Sequence, residues 1–190
     1  MSNLELIARH LTTAELEAGL DEIRRAPRDE GTLELIVRRP EVDEREVLDA
    51  GELSLELGLV SDGWITRGSS RTPDGSSHPD MQLNIMNSRV TALVAQHKDR
   101  WQLAGDQLYL DMDLSEDNLP AGTRFAIGAA VIEVSPQPHL GCRKFVSRFG
   151  LAAMQFVNSA LGRQLRLRGI NARVVSAGVI RVGDVVRKIA

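Results

Sequence analysis

A single cysteine, Cys142, stands in a chain of 190 residues, so no disulfide can form within it. That suits a reducing compartment and leaves the fold to apolar packing. Long hydrophobic runs are also missing. None approaches the ~20 apolar residues that span a bilayer, so no membrane association is expected. Met1 to Leu11 lacks a basic stretch followed by a continuous apolar one, and no signal peptide is read there. The expected location is therefore cytoplasmic. Positive charge is not in excess: 23 basic against 26 acidic residues give a net charge of −3, with no global attraction for nucleic acid. The sequence has no G-x-S-x-G, no Walker A loop and no G-x-G-x-x-G. A nucleophile elbow, a P-loop and a Rossmann dinucleotide site lose their usual signatures with them.

What is present points to a β-rich α/β (α+β) domain. With 43% hydrophobic residues, a chain of this length can fill one core, and residues 1–190 are read as one domain. Residues 1–31 form an N-terminal helical extension and 32–190 a barrel core. Thr12 and Glu15 have capping-box spacing, Leu16, Leu20 and Ile23 share a face, and Pro27 stops the helix they predict. Strands are predicted at Thr32–Val37, Gln82–Met86, Leu108–Met112, Arg124–Ile127, Ala130–Val134, Ala172–Ser176 and Val185–Ile189, separated by glycine-containing turns. Leu53–Val60 is apolar at mixed spacing and reads as either helix or strand. Asn87 is placed to cap a helix running to Ala95. Arg143–Leu161 reads as one long helix whose apolar face carries three of the four phenylalanines, Phe145, Phe149 and Phe156. Short strands and tight corners around Gly128 and Gly183 suit a small barrel. Gly68–Asp80, rich in Gly, Ser, Pro and Asp, is either a functional lid or a plain connection.

Chemistry concentrates around Cys142. Between Arg143 and Arg173 stand Arg143, Lys144, Arg148, Arg163, Arg166, Arg168 and Arg173, with no acid among them. This is either a solvated basic face or the surroundings of an anion. Pro136, Pro138 and Gly141 hold the preceding segment extended, so Cys142 arrives at the start of a helix, where free N–H groups and the adjacent cations favour negative charge. A thiolate there is both a nucleophile and a soft metal ligand. The opposing reading is a small buried hydrophobe. His139 either hydrogen-bonds the thiol or a ligand phosphate, or caps the loop. His139 and Cys142 alone fall short of the three or four ligands of a zinc site. Asp111 and Asp113 alternate onto one strand face and are read as solvent-facing.

From Met81 onward the chain resembles the MOSC domain, the module named for the C-terminal part of molybdenum-cofactor sulfurases. The matching pieces run in order: Met86-Asn87-Ser88-Arg89, Leu103-Ala104-Gly105-Asp106, Asn118 through Gly122, Ile127-Gly128 through Glu133-Val134, His139-Leu140-Gly141-Cys142, Leu167 through Val175, and Gly178 through Gly183-Asp184. Thr32–Trp64 matches more loosely. The resemblance implies a MOSC-like β-barrel flanked by short helices, with Cys142 as the family cysteine that ligates molybdenum or carries sulfur. The implied cofactor is the molybdenum cofactor (molybdopterin), with Arg143, Lys144, Arg148, Arg168 and His139 about it and Asn87 and Arg89 lining the pocket. The activity implied is reduction of N-hydroxylated compounds, fed by a separate electron-donor reductase. A sulfur carrier with a Cys142 persulfide, or a non-enzymatic cofactor-binding module, is the alternative. Pyridoxal phosphate is not expected, because the chain has no room for an aminotransferase-like domain.

Overall fold

The structure, a computed structural model, describes residues 9–189. Most of the Met1–Leu11 segment read for a signal peptide lies outside them. Two short helices open the described chain, α1 (Thr13–Ala18) and α2 (Leu20–Arg24), followed by β1 (Glu30–Arg38), β2 (Glu46–Leu48), β3 (Ala50–Ser54), β4 (Gly58–Leu59) and α3 (Trp64–Arg67). The middle holds β5 (Leu83–Asn87), α4 (Ser88–Ala95), β6 (Leu108–Asp111), β7 (Arg124–Ile127) and β8 (Ala130–Val134). The last part holds α5 (Arg143–Phe149), α6 (Leu151–Asn158), α7 (Ala160–Gln164), β9 (Ile170–Ser176), β10 (Gly178–Arg181) and β11 (Val185–Ile189).

Seven strands close a barrel in the order β11-β7-β8-β9-β5-β6-β1, with the start of β1 returning to β11 and β2 pairing with the end of β1. Only β5 and β6 run parallel within it, joined through α4. A separate ribbon, β10-β3-β4, packs beside the barrel and settles the ambiguous Leu53–Val60 segment as two strands and a turn. The expected β-rich barrel with short helices is the fold observed.

Two apolar layers explain the sequence pattern. Leu33, Ile85, Leu110, Phe125, Ile132 and Val186 fill the barrel. Met86, Tyr109 and Val37 point outward from the same strands and are covered by Leu16, Val90, Phe145, Phe149 and Phe156 of the helices. Strands β1, β5 and β6 are thus buried on both faces, which is why they read as nearly continuous apolar runs. A bulge between Leu33 and Leu35 flips the alternation of β1, so that Leu33 and Ile36 both face inward.

Local signals hold where capping chemistry carries them. Thr12 and Glu15 form the reciprocal box that starts α1, and the Asn87 side chain accepts from the backbone N–H groups of Arg89 and Val90 at the start of α4. Two readings are corrected: the single helix read over Thr12–Arg25 is divided at Gly19 into α1 and α2, and Arg143–Leu161 is not a single helix. Gly150 has φ +92°, and a Cβ there would lie 2.8 Å from the Cβ of His10. The chain turns at this glycine, and Ser159 then caps a third short helix by accepting from Gly162 N–H. The Gly68–Asp80 loop is tied to itself by Ser69, Thr72, Asp74 and Ser76, and to the body by Arg71, which donates to Gln137.

Candidate functional site

At one end of the barrel, the link after β1, the turn at Gly105 and the start of α5 surround a cleft of about 300 Å³. Cys142 is exposed at its border, in extended backbone at the N-cap of α5. The preceding segment is pinned to α6, because Gly141 N–H donates to Asn158 Oδ1 at 2.9 Å and Asn158 Nδ2 returns a bond to the Gly141 carbonyl at 3.2 Å. Pro136 and Pro138 stiffen the rest, so the thiol is placed by a braced strap.

Behind the thiol lies a buried polar triad. Asp106, fully buried, accepts from Arg168 Nη1 through both oxygens at 2.9 and 2.8 Å and lies 2.8 Å from His139 Nε2. Burial pushes the Asp106 carboxyl up, but Arg168 and His139 outweigh it and hold the group below the usual carboxylate range. Burial, then the charge of Arg168, pushes the His139 imidazole down against the opposing pull of Asp106. An ionised Asp106 can only accept, so the neutral His139 carries its hydrogen on Nε2 and leaves Nδ1 as an acceptor. Arg168 also donates from Nη2 to the Ala104 carbonyl at 3.0 Å and stacks 5.1 Å over the Phe145 ring.

A second buried fork joins the site to β1. Arg39 meets Asp62 through Nε and Nη2, each at 3.0 Å, while its Nη1 donates to Asn84 Oδ1 and the Gly105 carbonyl. Asn84 then donates to Asn171 at 2.6 Å. Nearer the surface, Asp43 pairs with Lys144 at 2.7 Å and with Arg148 at 3.4 Å. Arg148 also donates to the Leu103 carbonyl. Arg45 and Arg67 line the cleft and make no ion pair among the described residues. Burial, then the neighbouring arginines, holds both guanidinium groups below their ordinary pKa.

The region is under-satisfied as well as cationic. Four buried side-chain polar atoms among the described residues have no hydrogen-bond partner, and three of them are Arg45 Nε, Arg168 Nε and the Tyr109 hydroxyl. Arg45 and Arg168 line the cleft, and the Tyr109 hydroxyl lies within the fields of Asp106, Arg168 and Arg39. Native interiors leave few such groups bare. Surplus positive charge and unmet donors fit an anionic ligand with several acceptor oxygens. No group of three or more His, Cys, Asp or Glu side chains able to hold a metal occurs among the described residues. A metal at Cys142 would therefore bring most of its ligands with it.

Of the residues singled out in the sequence, Cys142, His139, Lys144, Arg148 and Arg168 meet at this cleft. Arg143 is exposed and forms no part of the wall. Asn87 and Arg89 are elsewhere, which corrects the expectation that they line the pocket. Asn87 is spent on capping α4 and on the Met112 carbonyl, and Arg89 pairs with Asp111 and Glu22. Asp111 and Asp113 are held in ion pairs with Arg89 and Arg28. The acid-free run after Arg143 is not unopposed in space, because Asp43 and Asp106 arrive from distant parts of the chain. Sequence reasoning missed Arg39, Arg45, Arg67 and Asp62. The basic pair Arg38-Arg39 before Pro40 was the available signal.

The fold and site define a class: a small closed barrel carrying an exposed thiol on a cationic cleft. A family model described as the MOSC domain matches residues 77–187, and the chain belongs to the MOSC domain family. Among solved structures it is similar to the YuaD protein from Bacillus subtilis, at 17% identity and TM-score 0.56, over 83% of this chain and 94% of that one. It is also similar to YiiM from Escherichia coli, at 21% identity and TM-score 0.52, over 84% of this chain and 70% of that one. YiiM from Geobacillus stearothermophilus matches at 17% identity and TM-score 0.53, over 84% and 73%. No curated protein sequence matches. At these identities the structural likeness speaks for the fold alone. No helix among the described residues is long and apolar enough to cross a membrane.

Proposed function

We propose that the cleft binds the molybdenum cofactor, with Cys142 as the protein's soft ligand to the metal. The observation that carries this reading is the coincidence of an exposed thiol with two cleft-lining arginines, Arg45 and Arg67, that form no ion pair among the described residues and feel Asp43 and Asp62 only at a distance. Thiolate sulfur suits a soft transition metal, and guanidinium forks suit a phosphate. When bound, the cofactor would supply the redox centre for reducing N-hydroxylated compounds, with electrons delivered by a separate reductase. This chain's own part is positional. Arg45 and Arg67 hold the anionic end, the braced 136–141 strap fixes the thiol, and neutral His139, with its Nε2 hydrogen on Asp106, offers an acceptor at Nδ1. Arg168 keeps Asp106 ionised and so keeps that tautomer.

The exposure of Cys142 also favours a second reading, sulfur carriage as a persulfide. The two part in the same preparation. Purified from a host that makes the cofactor, the wild type is expected to release pterin on denaturation, and an Arg45→Gln, Arg67→Gln double variant to lose most of it. Equal pterin in both would contradict the cationic-cleft account. An intact mass one sulfur atom above the sequence, removed by thiol reductant and without pterin, would favour the carrier.

A further inference from the structure

A second cavity, of about 320 Å³, lies on the other side of His139 and Arg168, which border both spaces. Its volume is at the low end of the ~300–1,000 Å³ typical of small-molecule pockets. One wall is apolar: Pro136, Pro138 and Leu140 of the strap face it together with Val157 and Ile170, and Leu140 remains 41% exposed. The lining also carries Arg163 and Arg166, with Glu116 as its one acid.

Arg166 is the unusual member. It is a non-glycine residue at φ +49°, a conformation that costs energy and persists only where its surroundings impose it. Its half-buried guanidinium donates to the Leu119 carbonyl and makes no ion pair among the described residues. Burial holds its pKa down, with only the more distant charge of Glu116 opposing. Arg163 uses Nε on the Asn158 carbonyl and is otherwise exposed. With Arg168 balanced by Asp106, Arg163 and Arg166 against Glu116 leave room for one negative charge.

We infer that this cavity is a binding site for a small, partly apolar organic monoanion, its carboxylate or similar group on Arg166 and its apolar body against Leu140, Val157 and Ile170. The cation it turns on, Arg166, is not among the residues assigned to the cofactor at Cys142; the strap, His139 and Arg168 border both spaces, and the Arg166 and Glu116 variants separate this site from that one.

The test is calorimetric titration of the full chain with 4-phenylbutyrate and, in parallel, its uncharged amide. The carboxylate is expected to bind at least tenfold more tightly than the amide, because a hydrogen bond to a charged group carries the difference. Arg166→Gln should weaken the carboxylate about tenfold or more and leave the amide unchanged. Glu116→Gln, which removes the competing charge from an exposed position, should tighten the carboxylate, and it keeps the test decisive should the arginine variant not fold. Arg45→Gln should change nothing here. Absence of binding at millimolar carboxylate, equal affinity for acid and amide, or a Glu116→Gln effect of the opposite sign would overturn the inference, as would an unchanged affinity in a folded Arg166→Gln protein.

Discussion

Asp106, His139 and Arg168 form a unit whose charges are interlocked, and removing any one changes the state of the others. Arg168→Gln leaves a buried carboxylate without its cation, a change that typically costs about 3–5 kcal/mol. Chemical denaturation of the variant should show a loss of that size. His139 gives a sign that can be checked separately. Its folded pKa lies below the ordinary imidazole value of 6.5, so the unfolded chain takes up a proton that the folded protein refuses. Stability attributable to His139 is therefore present above about pH 6.5 and declines as pH falls below it. Asp106, also depressed, contributes stability above its unfolded value of 3.8 and loses it only below that pH. Melting temperatures at pH 7.5 and 5.5 should differ more in wild type than in His139→Gln, and an equal difference would show that another group governs this window.

At the scale of elements, the corrected residues provide the tests. Asn87→Ala should cost about 1 kcal/mol through the lost cap of α4, with a further loss from the orphaned Met112 carbonyl, and should leave any ligand at the Cys142 cleft in place. A variant depleted of ligand at unchanged stability would restore Asn87 to the site. Gly150→Ala places a β-carbon at positive φ against His10 and should destabilise by more than ~1 kcal/mol, measured by the same denaturation. Much of this level was legible in the chain. Capping residues act within three or four positions, so Thr12, Glu15 and Asn87 announced their helices, and strands bounded by glycine turns were recognised within a few residues. The break at Gly150 had a local signal that the apolar spacing on either side of it masked: the glycine ends α5 at positive φ, with its N–H on the Val146 carbonyl. Strands β2 and β10 were missed because each is short and exists through its pairing with β1 or β3.

For the whole molecule, barrel closure converts scattered residues into a site. The Cys142 segment could be recognised because its prolines, glycine and cations are contiguous, but its environment could not. Asp43, Arg45, Arg39 and Arg67 reach the cleft only because β1 ends beside the Gly105 turn, and Asp106 becomes buried only when β9 and the strap close over it. Local charge counting therefore overstated the unopposed cations after Arg143 and overlooked two cleft-lining cations, Arg45 and Arg67, that make no ion pair among the described residues. The central claim is that this assembled cleft holds the molybdenum cofactor through Cys142. Its most direct test is molybdenum and pterin content of the protein purified from a cofactor-producing host, wild type beside Cys142→Ala. The account predicts near-stoichiometric molybdenum in wild type and its loss in the variant at unchanged fold. Molybdenum absent from both, or equal in both, would contradict it.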